Sequence, residues 1–159
     1  MITTLDSSAD FDGTFSDTAT DAVQTDPITA GNPYSTGATL GTTGFAVGLT
    51  VEEKAAGSNN VNCPSTGCFA GQVVDFNITP LDGVTYPASF QLTIKVYVGP
   101  GVKGEDIEVR HNGFLVTLDP NTDPKHNVLT GIPVVDASSK IATIGITGPG
   151  NGNGGYGVG

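Results

Sequence analysis

The residues best suited to chemistry are hard oxygen donors. Asp119-Pro-Asn121-Thr-Asp123 puts side-chain oxygens at alternate positions, the D-x-N-x-D spacing that gathers ligands for calcium. The run departs from an EF-hand loop twice: Pro124 replaces the turn glycine, and Thr130 stands where the bidentate glutamate belongs. It also reads as a polar Asx-turn loop between strands. Asp6, Asp10, Asp12, Asp17, Asp21 and Asp26 are a second, looser source of carboxylates, read first as an acidic solvated segment.

Cys63 and Cys68 are the only cysteines, in Asn-Cys-Pro-Ser-Thr-Gly-Cys. A disulfide between them closes a tight loop, worth roughly 2 kcal/mol by the chain-entropy argument. A zinc site needs about four ligands, and the chain offers only His111 and His126 besides the thiols, neither at finger spacing. The disulfide is the preferred reading, free thiols the alternative, and a disulfide implies an oxidising compartment.

Catalytic constellations are scarce. Glu52–Glu53 and Glu105–Asp106 are adjacent pairs, and neighbours on a strand point to opposite faces. They therefore read as solvated strand ends rather than acid–base dyads. Gly150, Gly152 and Gly155 match G-x-G-x-x-G, but no helix follows to present its N-terminus to a phosphate. His111 is expected to end a hairpin strand and His126 to sit in a polar loop. Tyr34, Tyr86, Tyr97 and Tyr156 are the aromatics available for a sugar platform. No catalytic residue emerges and no cofactor beyond calcium is suggested, so the chain is read as non-enzymatic. A glycan hydrolase built from distant carboxylates is the enzymatic alternative.

The elements that must carry these residues are strands. Phe90, Leu92, Ile94, Val96 and Val98 alternate with polar residues; so do Val74, Phe76 and Ile78, and Phe45, Val47, Leu49 and Val51 alternate with small or polar ones. A strand collects such positions on one face, whereas a helix scatters them. Asn112-Gly113 is a type I′ hairpin signal. It predicts His111 opposite Phe114, Val109 opposite Val116 and Ile107 opposite Leu118. Val128 to Val135 and Ile141 to Thr147 supply further strands, with prolines between the runs. The pattern predicts an all-β protein, an antiparallel β-sandwich over residues 44–147 of immunoglobulin-like or jelly-roll-like type. Residues 1–43 are expected to form an acidic, extended N-terminal arm. Its apolar residues Phe11, Phe15 and Ile28 would contact a neighbouring molecule. Residues 148–159 are expected to form a Gly-rich flexible tail.

Composition narrows the partners. The 159 residues carry six Lys plus Arg against sixteen Asp plus Glu, a formal net charge of −10. That balance opposes an electrostatic grip on nucleic acid or anionic membrane. No apolar run is long enough to span a bilayer as a helix. Met1-Ile-Thr-Thr-Leu lacks the basic start and apolar core of a signal peptide. The expectation is that a signal has been removed, or that the protein reaches the outside another way, as within a virion.

Two resemblances bear on this. Cys63-x4-Cys68-Phe-Ala-Gly71-Gln72-Val73, Pro87-Ala-Ser-Phe90-Gln-Leu-Thr-Ile94 and Asp106-Ile-Glu-Val-Arg-His111-Asn-Gly113 resemble immunoglobulin-like β-sandwich domains of bacterial secreted and surface proteins. Thr14-Phe15-Ser16-Asp17-Thr18-Ala19-Thr20, followed by Ala30-Gly31, is similar to the start of mature TasA/camelysin-type matrix fibre proteins. That likeness implies a jelly-roll-like subunit whose N-terminal segment completes a neighbour's sheet. Neither resemblance carries catalytic residues. The expectation is a structural subunit of an extracellular filament, fibre or virion surface that assembles with copies of itself through sheet edges and the arm. The alternative is an adhesion or carbohydrate-binding module, calcium-dependent through Asp119–Asp123 and binding surface glycans.

Overall fold

A computed structural model describes residues 4–11, 22–40, 47–81 and 83–159. Its regular structure is nearly all β, with 49% of residues in strands and 4% helical: two antiparallel sheets packed face to face as a β-sandwich. The strands are β1 (Thr4–Phe11), β2 (Ala22–Gln24), β3 (Tyr34–Leu40), β4 (Val47–Ala55), β5 (Gln72–Pro80), β6 (Phe90–Tyr97), β7 (Val109–His111), β8 (Phe114–Val116), β9 (Val128–Leu129), β10 (Val134–Val135), β11 (Ile141–Gly148) and β12 (Gly154–Val158). One sheet runs β1-β4-β5-β12-β7-β8; the other runs β10-β11-β6-β3-β2, with β9 also paired to β11.

The core lies where the alternating faces meet. Val47, Leu49 and Val51 of β4, with Val74, Phe76 and Ile78 of β5, face Phe90, Leu92, Ile94 and Val96 of β6 and Ile144 and Ile146 of β11. Phe76 and Phe90 join the two sheets, their ring centroids 4.8 Å apart. Each such side chain stabilises the fold by about 1.5–3 kcal/mol through burial. The expected hairpin forms with His111 opposite Phe114 and Val109 opposite Val116, but the ladder stops there: Ile107 caps a short 3-10 turn and is not paired with Leu118. Asn112 and Gly113 take the positive φ values, 51° and 88°, that its turn requires.

The two ends of the chain differ from expectation. The described residues of the 1–43 segment, 4–11 and 22–40, belong to the sandwich and not to a separate arm. β3 lies inside its sheet between β6 and β2, with Tyr34, Thr36, Ala38 and Leu40 all buried. Its inward face mixes threonine and alanine with larger groups, so its period-2 pattern carries little hydrophobic contrast. β1 is likewise ordered, running antiparallel to β4 from Thr4 opposite Lys54 to Phe11 opposite Gly48.

Residues 148–159 are not a flexible tail. β12 is an interior strand, paired to β5 on one side and β7 on the other. Its glycines answer to close packing. A Cβ at Gly157 would stand 1.8 Å from the Asn62 carbonyl oxygen, and one at Gly152 about 2.1 Å from the Phe90 ring. The glycine-rich composition therefore records backbone passing close to other groups, not looseness.

Candidate functional site

Two buried polar clusters interrupt the apolar core, and both are built from residues the sequence pattern disguises. The first is at the hairpin end. β7 carries His111 to the interior on the same face as Val109, and the loop before β9 folds over it. His111 Nδ1 lies 2.9 Å from Asp123 Oδ2, and both side chains are essentially inaccessible. His111 Nε2 lies 2.8 Å from the Asn153 carbonyl oxygen. Each ring nitrogen also has an asparagine amide within reach, Asn127 Nδ2 at 3.1 Å from Nδ1 and Asn112 Nδ2 at 3.3 Å from Nε2.

Tyr156 of β12 stacks on the imidazole, with centroids 4.2 Å apart and planes 5° from parallel. Asn127 Nδ2 donates to the Tyr156 hydroxyl at 3.0 Å, and that hydroxyl donates to the Gly152 carbonyl oxygen. Burial, aided by the Asp123 charge, pushes the Tyr156 phenol well above its ordinary range. The cluster ties β7, β12 and the 119–127 loop together. Its side chains His111, Asp123, Asn127 and Tyr156 are all buried.

The calcium expectation meets this geometry directly. Asp119 Oδ1 accepts from the Asn121 backbone N–H at 2.9 Å. Asp123 turns inward, spending Oδ2 on His111 and Oδ1 on the Lys125 backbone N–H at 2.9 Å. The loop is held by Asx turns and by the buried Asp123–His111 contact, which together engage both Asp123 oxygens. Among the described residues no group of three His, Cys, Asp or Glu side chains is placed to hold a metal.

The second cluster centres on Glu53. It follows Val47, Leu49 and Val51 on the inward face of β4 and is fully buried, so its reading as a solvated strand end is wrong. The pairing logic itself holds, since Glu52 points the other way toward Lys54. Thr25 and Thr36 hydroxyls each donate to Glu53 Oε2 at 2.8 Å. The Thr25 hydroxyl oxygen also accepts from the Thr36 N–H at 2.8 Å. Glu53 Oε1 has no hydrogen-bond partner among the described residues. Burial raises the Glu53 carboxyl above the ordinary range; the two threonine hydroxyls oppose that rise, and Asp6 and Asp26 add to it. Tyr34, beside it, donates to the Phe69 carbonyl oxygen at 2.8 Å, and burial pushes its phenol strongly upward.

Cys63 and Cys68 form the expected disulfide, with Cα atoms 5.0 Å apart. Its loop packs over β12, where Asn62 and Cys68 meet the glycine backbone. The proposed sugar platform loses two members. Tyr34 and Tyr156 are core residues, while Tyr86 and Tyr97 are exposed. His126 is exposed in its loop, as expected. Of the expected arm contacts, Phe11 ends β1, Ile28 is half-buried between β2 and β3, and Phe15 lies outside the described residues. Phe45, expected on the β4 face, also lies outside them.

Comparison with protein families, curated proteins and solved structures found no match. No described helix is long and apolar enough to cross a membrane. That and the disulfide are compatible with a secreted protein.

Proposed function

We propose that this protein is a non-enzymatic structural subunit of an extracellular assembly, a filament, fibre or virion surface, joined to its neighbours through sheet edges and its N-terminal strand. The observation that carries this reading is the way β1 is attached. It completes one sheet edge by pairing with β4 from Gly48 to Lys54, with one register shift between Thr4 and Asp6. Yet none of its described side chains joins the hydrophobic core, and Leu5 is exposed. Such a strand contributes backbone hydrogen bonds and little burial. The same bonds form if the strand comes from another copy, which is strand addition to an open edge. Without it, β4 presents a row of unpaired N–H and C=O groups, the feature that invites edge-to-edge association. The two buried clusters support the same reading, because each fixes strands in place and neither opens to a substrate.

Ser7 and Glu52 are directly opposed in the β1–β4 ladder, which supplies the test. Ser7→Cys chains are mixed with Glu52→Cys chains under mild oxidation, and electron microscopy follows the full-length protein. Filaments or particles, with a mixed covalent dimer that neither variant makes alone, are the expected result. Dispersed molecules with no mixed dimer overturn the proposal.

A further inference from the structure

We propose that the outer face of the β10-β11-β6-β3-β2 sheet binds an acidic oligosaccharide, one bearing sugar carboxylates, with Thr93 at the floor of the site and Lys95 as its charge partner. β6 is the middle strand of that path and turns Gln91, Thr93, Lys95 and Tyr97 outward. Across the ladders Thr93 stands opposite Gly37 of β3 and Gly145 of β11. Glycine at both positions lets neighbouring polar groups reach in beside Thr93. A Cβ at Gly37 would stand 2.6 Å from Gln24 Oε1, and one at Gly145 would stand 2.2 Å from Thr130 Oγ1. Two surface cavities meet at Thr93. Gln24, Thr39 and Lys95 help to line one, and Gln91, Thr130 and Thr143 help to line the other.

The chemistry of this lining selects the ligand. Hydroxyls and amides both donate and accept, which suits a dense array of sugar hydroxyls. Gln24 is held in place by donating from Nε2 to Ser35 Oγ at 2.9 Å. Among the described residues no carboxylate lines either cavity. The outward positions of β3, β6 and β11 carry one charged residue, Lys95, whose ladder neighbours are Ser35 and Thr143. The ion pairs among the described residues involve Lys54, Arg110 and His111, so no protein carboxylate takes up the Lys95 ammonium. On a chain of net charge −10 this face is a positive spot free of acids, complementary to an anionic sugar. One lysine is too little for a polyphosphate backbone, which is gripped by many cations. Tyr97 follows on the same face and is 49 % exposed. It stands four residues from Thr93, about 13 Å along the strand, and its ring offers apolar surface to a sugar face. That span exceeds one sugar ring, so the face fits an oligosaccharide and not a monosaccharide.

The full-length protein is titrated by calorimetry with tetrasaccharides of galacturonic, glucuronic and mannuronic acid. Their methyl esters, which keep the ring hydroxyls and lose the charge, are titrated beside them. Saturable binding of at least one acid is the expected result, with its ester bound more weakly. Lys95→Gln should weaken that binding about two- to fivefold, the worth of one exposed ion pair. Lys125→Gln, which removes an exposed lysine from the 119–127 loop, should leave it unchanged. Thr93→Tyr, a change that suits a strand, fills the floor between the two glycines and should abolish binding while the protein still melts cooperatively. Absence of any acid bound with a Kd below about 1 mM overturns the proposal. So does equal affinity for acid and ester, or a Lys125→Gln loss as large as that of Lys95→Gln. The face lies on the opposite sheet from β1 and β4, so failure here leaves the assembly reading standing, and failure of assembly leaves this one.

Discussion

Replacing Asp123 by Asn should be among the most damaging single-atom-scale changes in this protein. The carboxylate is 1 % exposed and lies 2.9 Å from His111 Nδ1, so no water replaces what the substitution removes. The Asn oxygen can keep the cap on Lys125 N–H. The new amide nitrogen must then face a ring nitrogen that donates to the native carboxylate. Either the imidazole rotates away from the Asn153 carbonyl and its stacked Tyr156, or a buried polar group is left without its partner. Breaking a buried pair in this way costs about 3–5 kcal/mol, against 0–1 kcal/mol for an exposed one. For a chain of this size that lowers Tm by roughly 10 °C. Urea titration at neutral pH, followed by tyrosine fluorescence, measures the loss directly. A cost below about 1 kcal/mol would refute the claim that His111 and Asp123 hold β7 to the 119–127 loop.

Other perturbations follow from the same contacts. Gly157→Ala forces a Cβ into the Asn62 carbonyl and should cost at least about 1–3 kcal/mol as overpacking of a rigid site. Gly131→Ala, with nothing within 4 Å, should leave the melting curve unchanged. Reducing the Cys63–Cys68 disulfide should remove roughly 2 kcal/mol in chemical denaturation, the share of a short closed loop. Glu53 sets a pH trend. Its folded-state carboxyl is raised, so its contribution is complete below the ordinary glutamate range and is lost as pH rises through the raised value. Glu53→Gln should flatten that part of a Tm-against-pH profile, and an unchanged slope would remove Glu53 as its cause.

The strands that carry the core were legible because they obey one rule. β4, β5, β6 and β11 alternate apolar and polar residues, and the Asn112-Gly113 turn fixes its own register through the positive φ it demands. β3 and β12 break that rule for different reasons. β3 buries Thr36 and Ala38 where larger apolar groups were sought. β12 is mostly glycine because Asn62 and the disulfide loop press on its backbone, a tertiary cause with no local mark. The site residues were harder still. Glu53 sits in phase with Val47, Leu49 and Val51, so the period did place it inward, but a glutamate in that phase reads as the strand leaving the core. Asp123 belongs to a run whose spacing imitates a calcium loop, and only the fold shows it turned toward His111.

The attachment of β1 bears on how assembly would be controlled. A strand paired with its own β4 and one paired with a neighbour's β4 form the same ladder, so their difference in bond energy is small. The choice then rests on effective concentration, which for a segment on a short tether is on the order of millimolar. Below that protein concentration, pairing within one chain is favoured unless something penalises it.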